Sequence, residues 1–386
     1  MPLKLVHTSD VHLDCTFAAL ADRKGRDKRA AVRAVFRRII DDCLEWPADV
    51  LLVAGDLYES RRVSPDTIGF LKSEFARLGD IPALIAPGNH DPFTDRSPYA
   101  AASWSDNVHI FQSGEMEVID LPELPLRVAG LAHTSHHVQG RLTDLARRRE
   151  DTDVPTVLLA HASLQGQGIA EKSESDIWLP FTEAELADLS YTFAALGHYH
   201  NPREISADGR ALGSYAGTPE GLNFSEQGRR SYARLTLEEG AASIERVPVS
   251  RIDYQVMRIS CDNFETRAQL FDAIAAGAPR EAESTILRVE AVGRTAPGFS
   301  LTGRVGEELA ARFFHIDVID STSPDYDWEA LAGESSLRGE VVRRFAQALD
   351  GAGGEERERI EKARLYALEA LEGRGIELPE EVLRAD

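Results

Sequence analysis

Seven residues able to bind a divalent cation stand in five short strings, and each string follows an apolar run. The strings are Ser9-Asp10-Val11-His12, Gly55-Asp56, Gly88-Asn89-His90-Asp91, His161 and Gly197-His198-Tyr199-His200. Carboxylate, imidazole and amide oxygen, with no thiolate, suit Mn²⁺, Fe²⁺ or Zn²⁺ better than Mg²⁺. Two such ions about 3.5–4 Å apart neutralise phosphate oxygens and lower the pKa of a shared water, which is the chemistry of phosphoester hydrolysis. Each string alone has a plainer reading: Asp-x-His caps a loop, Gly-Asn makes a turn, and a single strand-end histidine is usually structural. Five in succession are hard to reconcile with five independent accidents. Arg61 and Arg62 follow Asp56 closely enough to meet substrate phosphates as point charges or forks. His133, His136 and His137 read as loop histidines outside the metal shell, and His7, His109 and His315 as structural.

The elements that must position these residues are legible as short buried strands: 3–8, 49–55, 82–88, 126–132, 155–161 and 191–197. Helix-like stretches at 28–46 and 64–78 lie between them, the second opening on the start signal Ser64-Pro65. This is a layered α/β core, whose ligand sites are expected at the C-terminal ends of the strands. Residues two apart in extended backbone project to one side. That spacing lets Asp10 and His12 chelate one ion, and His198 with His200 is a second pair of the same spacing, with Tyr199 turned away into the core.

At the end of the core, 229–250 reads as an antiparallel closure with a turn at Glu239-Gly240, and beyond it 253–321 alternates strand, helix, strand, helix, strand. From Ser335 the chain is helical, with Ile360, Leu365, Ala367, Leu368 and Leu371 at helical spacing. The expected domains are 1–250 for catalysis, 251–325 as a small α+β cap, and 326–386 as a helical tail. The tail's apolar stripe serves its own packing or a partner helix.

The chain has 386 residues, 43% of them apolar and 28% charged, the composition of a globular protein too long for a single typical domain. No signal peptide and no apolar run near twenty residues is present, so a cytoplasmic protein without a membrane partner is expected. Three widely spaced cysteines argue against disulfides and thiolate metal sites. The formal charge of −21 disfavours a polyanionic substrate unless the local field differs. Two remedies present themselves. Residues 21–38 hold eight Arg or Lys against two Asp, a candidate basic face. Asp10 and Asp56 with two divalent ions would leave the bare site near +2.

The order DxH, GD, GNHD, a later single His and GHxH resembles the signature of the calcineurin-like metallophosphoesterase superfamily. Within it, the string TSDVHLDCTFAAL, the cap-like segment and the helical tail resemble SbcD-type DNA repair exonucleases, particularly the YhaO-like branch. The resemblance implies a four-layer α/β/β/α core. It implies one ion held by Asp10, His12 and His200, a second held by Asn89, His161 and His198, and Asp56 bridging them. It further implies that His90 contacts the scissile phosphate and protonates the leaving oxygen, with Asp91 orienting its imidazole. Manganese, DNA as substrate, an SbcC-like SMC-type ATPase as partner and a homodimer are likewise implied. A phosphoesterase acting on nucleotides or other small phosphoesters would share all of these ligands, and a non-catalytic scaffold would keep the fold while binding no metal. The string GTPEGLNFSEQG (217–228) also resembles a family segment, with no role legible in its residues.

Overall fold

Alternation along the first strands sets the layers. In β1 (Leu3–Thr8), Leu3 and Leu5 join one apolar cluster and Val6 another; in β2 (Val50–Val53), Val50 and Leu52 part from Leu51 and Val53 in the same way. A strand apolar on both faces needs a packed layer on each side. The computed structural model describes residues 2–121, 123–149, 153–166, 177–297, 299 and 307–373, and supplies both layers.

The other strands of this region are β3 (Ala83–Ile85), β4 (Val108–Ile110), β5 (Glu117–Leu121), β6 (Leu126–Gly130), β7 (Thr156–His161), the short pair β8 (Leu164–Gln165) and β9 (Phe181–Thr182), β10 (Phe193–Gly197), β11 (Arg203–Ala207), β12 (Arg210–Tyr215), β13 (Ser231–Glu238) and β14 (Ala241–Pro248). One six-stranded sheet runs β14-β13-β1-β2-β3-β4 and the other β11-β12-β10-β7-β6-β5. Parallel pairing joins β1 to β4 in the first sheet and β6, β7, β10 and β12 in the second. Between the sheets Leu5, Leu52, Ala54 and Leu84 meet Val128, Val157, Leu159 and Phe193. Helices α1 (Asp22–Glu45) and α2 (Pro65–Arg77) cover the outer face of the first sheet; short α4 (Leu142–Leu145) and α5 (Glu183–Leu189), after the single turn α3 (Pro98–Ala101), cover that of the second. This is the expected α/β/β/α order.

Local signals behave as chemistry requires. Ser64 caps α2 by accepting from the Thr67 amide, with Pro65 following at the first helical position. The β13–β14 hairpin turns at Glu239 and Gly240, both with positive φ, as a two-residue turn matching strand twist demands.

The basic segment departs from expectation. Lys28 is fully buried against Glu220, and Arg33, Arg37 and Arg38 pair with Asp66, Glu74 and Glu45. Half of the eight cations are therefore neutralised locally, and the helix offers a far weaker positive face than its sequence suggests.

The chain divides into two compact units, one of Met1–Met257, Gly277–Val289 and Arg304–Val318, the other of Arg258–Ala276, Glu290–Gly303 and Ile319–Asp386. A three-stranded sheet, β15-β16-β17 (Asp253–Ser260, Thr285–Thr295, His315–Pro324), contributes to both, with α6 (Arg267–Gly277) and the short α7 (Glu307–Ala310) between its strands. Within the second unit, α8 (Trp328–Ala332), α9 (Leu337–Leu349) and α10 (Gly354–Leu371) gather Tyr326, Leu331, Val342 and Leu368 into a small core against Trp328 and Leu365. Two of the five stripe residues thus pack within the chain. Residues 374–386 of the expected tail lie outside the described part.

Candidate metal centre

All five strings sit at the C-terminal ends of strands, as open α/β sheets arrange their sites: His161 is the last residue of β7, and the other ligands lie a few residues beyond β1, β2, β3 and β10. The local geometry is not the extended one expected. Strand β1 ends at Thr8 and β10 at Gly197, and the residues that follow turn into left-handed backbone: Asp10 at φ 52°, His12 at 50°, Asp56 at 53° and His198 at 107°. Non-glycine residues avoid this region, and such strain concentrates where surrounding structure over-determines the backbone. The loops are tied down accordingly: the Asp10 amide donates to Gly55 O, the His12 amide to Asp56 O, and the His198 amide to the Asp10 carboxylate. Gly88 is required by close approach, because a Cβ there would strike the Asp56 carboxylate. Tyr199 is half-buried, its hydroxyl donating to Leu164 O and its ring on Tyr215.

Two three-residue clusters share Asp10: Asp10 with His12 and His200, and Asp10 with Asp56 and His161. In the first, His12 Nε2 and His200 Nε2 face each other at 3.2 Å, with Asp10 Oδ1 3.8 Å from His200 Nε2. Each ring is held from behind. His12 Nδ1 donates to Glu59 Oε1 at 2.7 Å, and His200 Nδ1 to Glu226 Oε1 at 2.7 Å. With both Nδ1 atoms taken by carboxylates, the two Nε2 atoms that face one another are the positions left to a cation.

The second cluster has the same logic. His161 Nδ1 donates to Ala54 O at 2.9 Å, so its Nε2 faces Asn89 Oδ1 at 3.0 Å and Asp56 Oδ2 at 3.3 Å. Asn89 Oδ1 and Asp56 Oδ2 are both acceptors, converging on that one ring nitrogen. Burial favours a neutral His161, but the charge and hydrogen bond of Asp56 raise it to about 9. A proton thus occupies the place that a divalent ion fits. His198 meets His161 edge-to-face, ring centroids 5.4 Å apart, and lies outside the three-residue clusters.

His90 joins a third cluster, with His12 and Glu59. Its Nδ1 meets Glu59 Oε2 at 3.1 Å, and that hydrogen bond, against the opposing effect of burial, raises the imidazole to about 9. Its side chain is 44% exposed, at the mouth of a cleft of about 410 Å³ shared with Arg61, Arg62, Asn89, His136 and Trp178. Asp91 does not orient His90. It is fully buried and accepts from the amides of Asp56, Leu57 and Gly88 and from Tyr99 Oη, pinning two ligand loops together.

Glu59 and Glu226 are therefore the residues sequence reasoning missed. Glu59 lies three positions after Asp56, close enough to have been suspected. Glu226 lies in 217–228, whose role now emerges: Glu226 holds His200, Glu220 holds Lys28, and Arg230, just beyond, donates to His200 O and Asn201 Oδ1. The charge count also changes. Four carboxylates contact or form the clusters, so two divalent ions bring the site to formal neutrality instead of +2. Arg61 and Arg62 line the adjoining cleft. Two of the three loop histidines come nearer than expected: His136 Nδ1 donates to Asn89 O, and buried His133 bonds His161 O.

The profile described as Calcineurin-like phosphoesterase matches residues 3–202. An uncharacterized metallophosphoesterase, YhaO of Bacillus subtilis (strain 168), is 29% identical over 251 residues, 63% of this chain and 59% of that protein. The match therefore spans less than two thirds of the relative. Among solved structures, a purple acid phosphatase from yellow lupin seeds (14% identity, 64% of this chain and 52% of that one, TM-score 0.40) and a dimetal phosphatase from Danio rerio (12%, 64% and 98%, TM-score 0.39) are similar. Among the described residues no helix is long and apolar enough to cross a membrane.

Proposed function

We propose, because this chain belongs to the calcineurin-like phosphoesterase family, that its site is a two-metal phosphodiesterase centre and that its substrate is DNA. Membership makes it a metal-dependent phosphoesterase; the substrate is our reading. The observation that carries it is the convergence of Asp10, His12 and His200, and of Asp10, Asp56 and His161, whose ligand atoms lie within 4.8 Å of one another in each group.

In this reading Asp10, His12 and His200 hold one ion, Asn89, His161 and His198 the other, and Asp56 both. Bound ions would neutralise the phosphate and acidify a water between them. The chain does the rest. Arg61 and Arg62 receive the phosphodiester at the mouth of the cleft. His90, held at Nδ1 by Glu59, presents its other ring nitrogen and gives a proton to the leaving oxygen. Asp91 keeps the loops carrying Asp56 and Asn89 in register.

The DNA assignment is supported by the SbcD-like string around Asp10 and by the sequence beyond residue 250, which we read as a cap selecting DNA. Manganese is our first choice of metal, and an SbcC-like SMC-type ATPase the partner met by the helical tail. A manganese-dependent digestion panel of single-stranded DNA, double-stranded DNA, RNA and mononucleotides tests the substrate. Preference for either DNA supports the reading; hydrolysis of mononucleotides alone overturns it. Truncation near residue 334 tests the tail, and unchanged capture of the ATPase would sink that assignment.

A further inference from the structure

We propose that the first unit carries a nucleobase pocket beside the metal centre, built from Phe17, Phe224, Tyr254 and Arg288, which holds one base of the substrate. This deepens the phosphodiesterase reading and rests on it. The cavity, about 680 Å³, lies between the loop after His12, the segment around Asn223, and strands β15 to β17, and all of its lining belongs to the first unit. Ligand pockets for molecules of this size run from about 300 to 1,000 Å³.

Its floor is aromatic. Phe17 and Tyr254 are buried there, and Phe224 meets Tyr254 edge-to-face at 4.9 Å between centroids. The Arg288 guanidinium lies over Phe224 at 3.9 Å. The Arg288 side chain is 31% exposed and lines the cavity, and its Nε stands 3.5 Å from Asp317 Oδ2. An aliphatic ligand would offer the guanidinium no acceptor, and a bare phosphate would leave the aromatic lining without a partner. A nucleobase answers both, offering a planar face for stacking and ring or exocyclic acceptors for the guanidinium.

Two connections tie the pocket to the catalytic residues. Asn223 on its rim donates to Glu226 Oε1, the oxygen that also accepts from His200 Nδ1. On the opposite wall, Thr16 accepts from Arg62, which lines the cleft of His90. A base in the pocket therefore sits next to, and separate from, a phosphate in the cleft. Either a strand or a free nucleotide could carry that base.

The test compares wild type with Arg288→Gln and with Ala19→Trp, which fills the pocket from an exposed wall position without removing a core contact. Three substrates are used with Mn²⁺: methyl p-nitrophenyl phosphate, thymidine 5′-(p-nitrophenyl phosphate) and a short single-stranded oligonucleotide. Both variants should raise KM for base-bearing substrates roughly 5- to 100-fold, the range of one lost base stack, and leave the methyl ester within about twofold. Loss on the oligonucleotide alone identifies a strand as the source of the base, and loss on both base-bearing substrates admits a free nucleotide. Equal losses on all three, or none, would overturn the pocket. If wild type cleaves only the methyl ester, the nucleic-acid reading fails, and quenching of a 2-aminopurine nucleotide judges the pocket alone: quenching lost in both variants upholds it, and no quenching in wild type overturns it.

Discussion

Replacing Glu59 with Gln isolates the carboxylate that joins the first metal cluster to the proton donor. Its two oxygens accept from His12 Nδ1 at 2.7 Å and from His90 Nδ1 at 3.1 Å, and the carboxyl is held down to about 2 by those histidines despite burial that opposes it. A glutamine is the same size but has one acceptor oxygen and one donor group. Only one ring can keep its bond; the other must move its proton to Nε2 or swing away. If His12 yields, its Nε2 carries a hydrogen toward His200 Nε2, where a metal ligand needs a lone pair. If His90 yields, the proton donor loses its orientation and its raised pKa. Each charge-assisted bond contributes about 1.5–3 kcal/mol, and with the Glu59 side chain only 20% exposed, solvent screening removes little of that. Outer-sphere changes of this kind reduce metal affinity or activity roughly 10- to 100-fold. Calorimetric Mn²⁺ titration and kcat on methyl p-nitrophenyl phosphate read the two routes separately, with Tm as the folding control. Wild-type affinity together with a wild-type rate, within about twofold, would refute the role given to Glu59.

In the proposed ligand set Asp56 belongs to both ions, its Oδ2 lying 3.3 Å from His161 Nε2 and 3.7 Å from His12 Nε2, so Asp56→Ala should disturb both; retention of two tightly held metals by elemental analysis contradicts the bridge. Lys28→Met strands the Glu220 carboxylate, fully buried and then supported only by the amides of Arg251 and Ile252. Breaking such a pair costs about 3–5 kcal/mol, a Tm fall of roughly 10 °C, and a calorimetric scan unchanged within a degree or so would contradict it. His7 lies in the inter-sheet layer, with neither ring nitrogen in hydrogen-bonding geometry, although the Leu196 carbonyl is near enough to temper its shift. Burial, then Arg246, lower it to about 3. Because the folded state binds fewer protons than the unfolded one between about pH 3 and the usual 6.5, His7 removes stability as pH falls through that window, about 2 kcal/mol by pH 5. His7→Leu should flatten that slope in urea titrations at pH 5 and 7.5; an unchanged slope assigns it elsewhere.

Strand positions and layer order were legible because apolar alternation is a local signal and a strand apolar on both faces has few ways to be buried. Ligand identity was legible because a metal restricts residue type. What escaped was long-range. Glu226 reaches His200 across 26 residues and Glu59 reaches His12 across 47, and nothing in a surface-like glutamate announces that it will be folded inward onto an imidazole. The left-handed backbone at Asp10, His12 and Asp56 escaped as well, because aspartate and histidine reveal their φ only when amides across the sheet constrain it. The basic helix misled for the complementary reason: its charges were read without the acidic partners that the fold brings to Lys28, Arg33, Arg37 and Arg38.

The central claim is a two-ion centre with a proton donor that is not itself a ligand. Elemental analysis of wild type and His90→Ala, each reconstituted with Mn²⁺ and assayed on methyl p-nitrophenyl phosphate, tests it most directly. The expected result is two ions per chain in both proteins, with turnover reduced about 100-fold or more in His90→Ala. A single ion in wild type, or a His90→Ala protein that has lost its metals, would contradict the account.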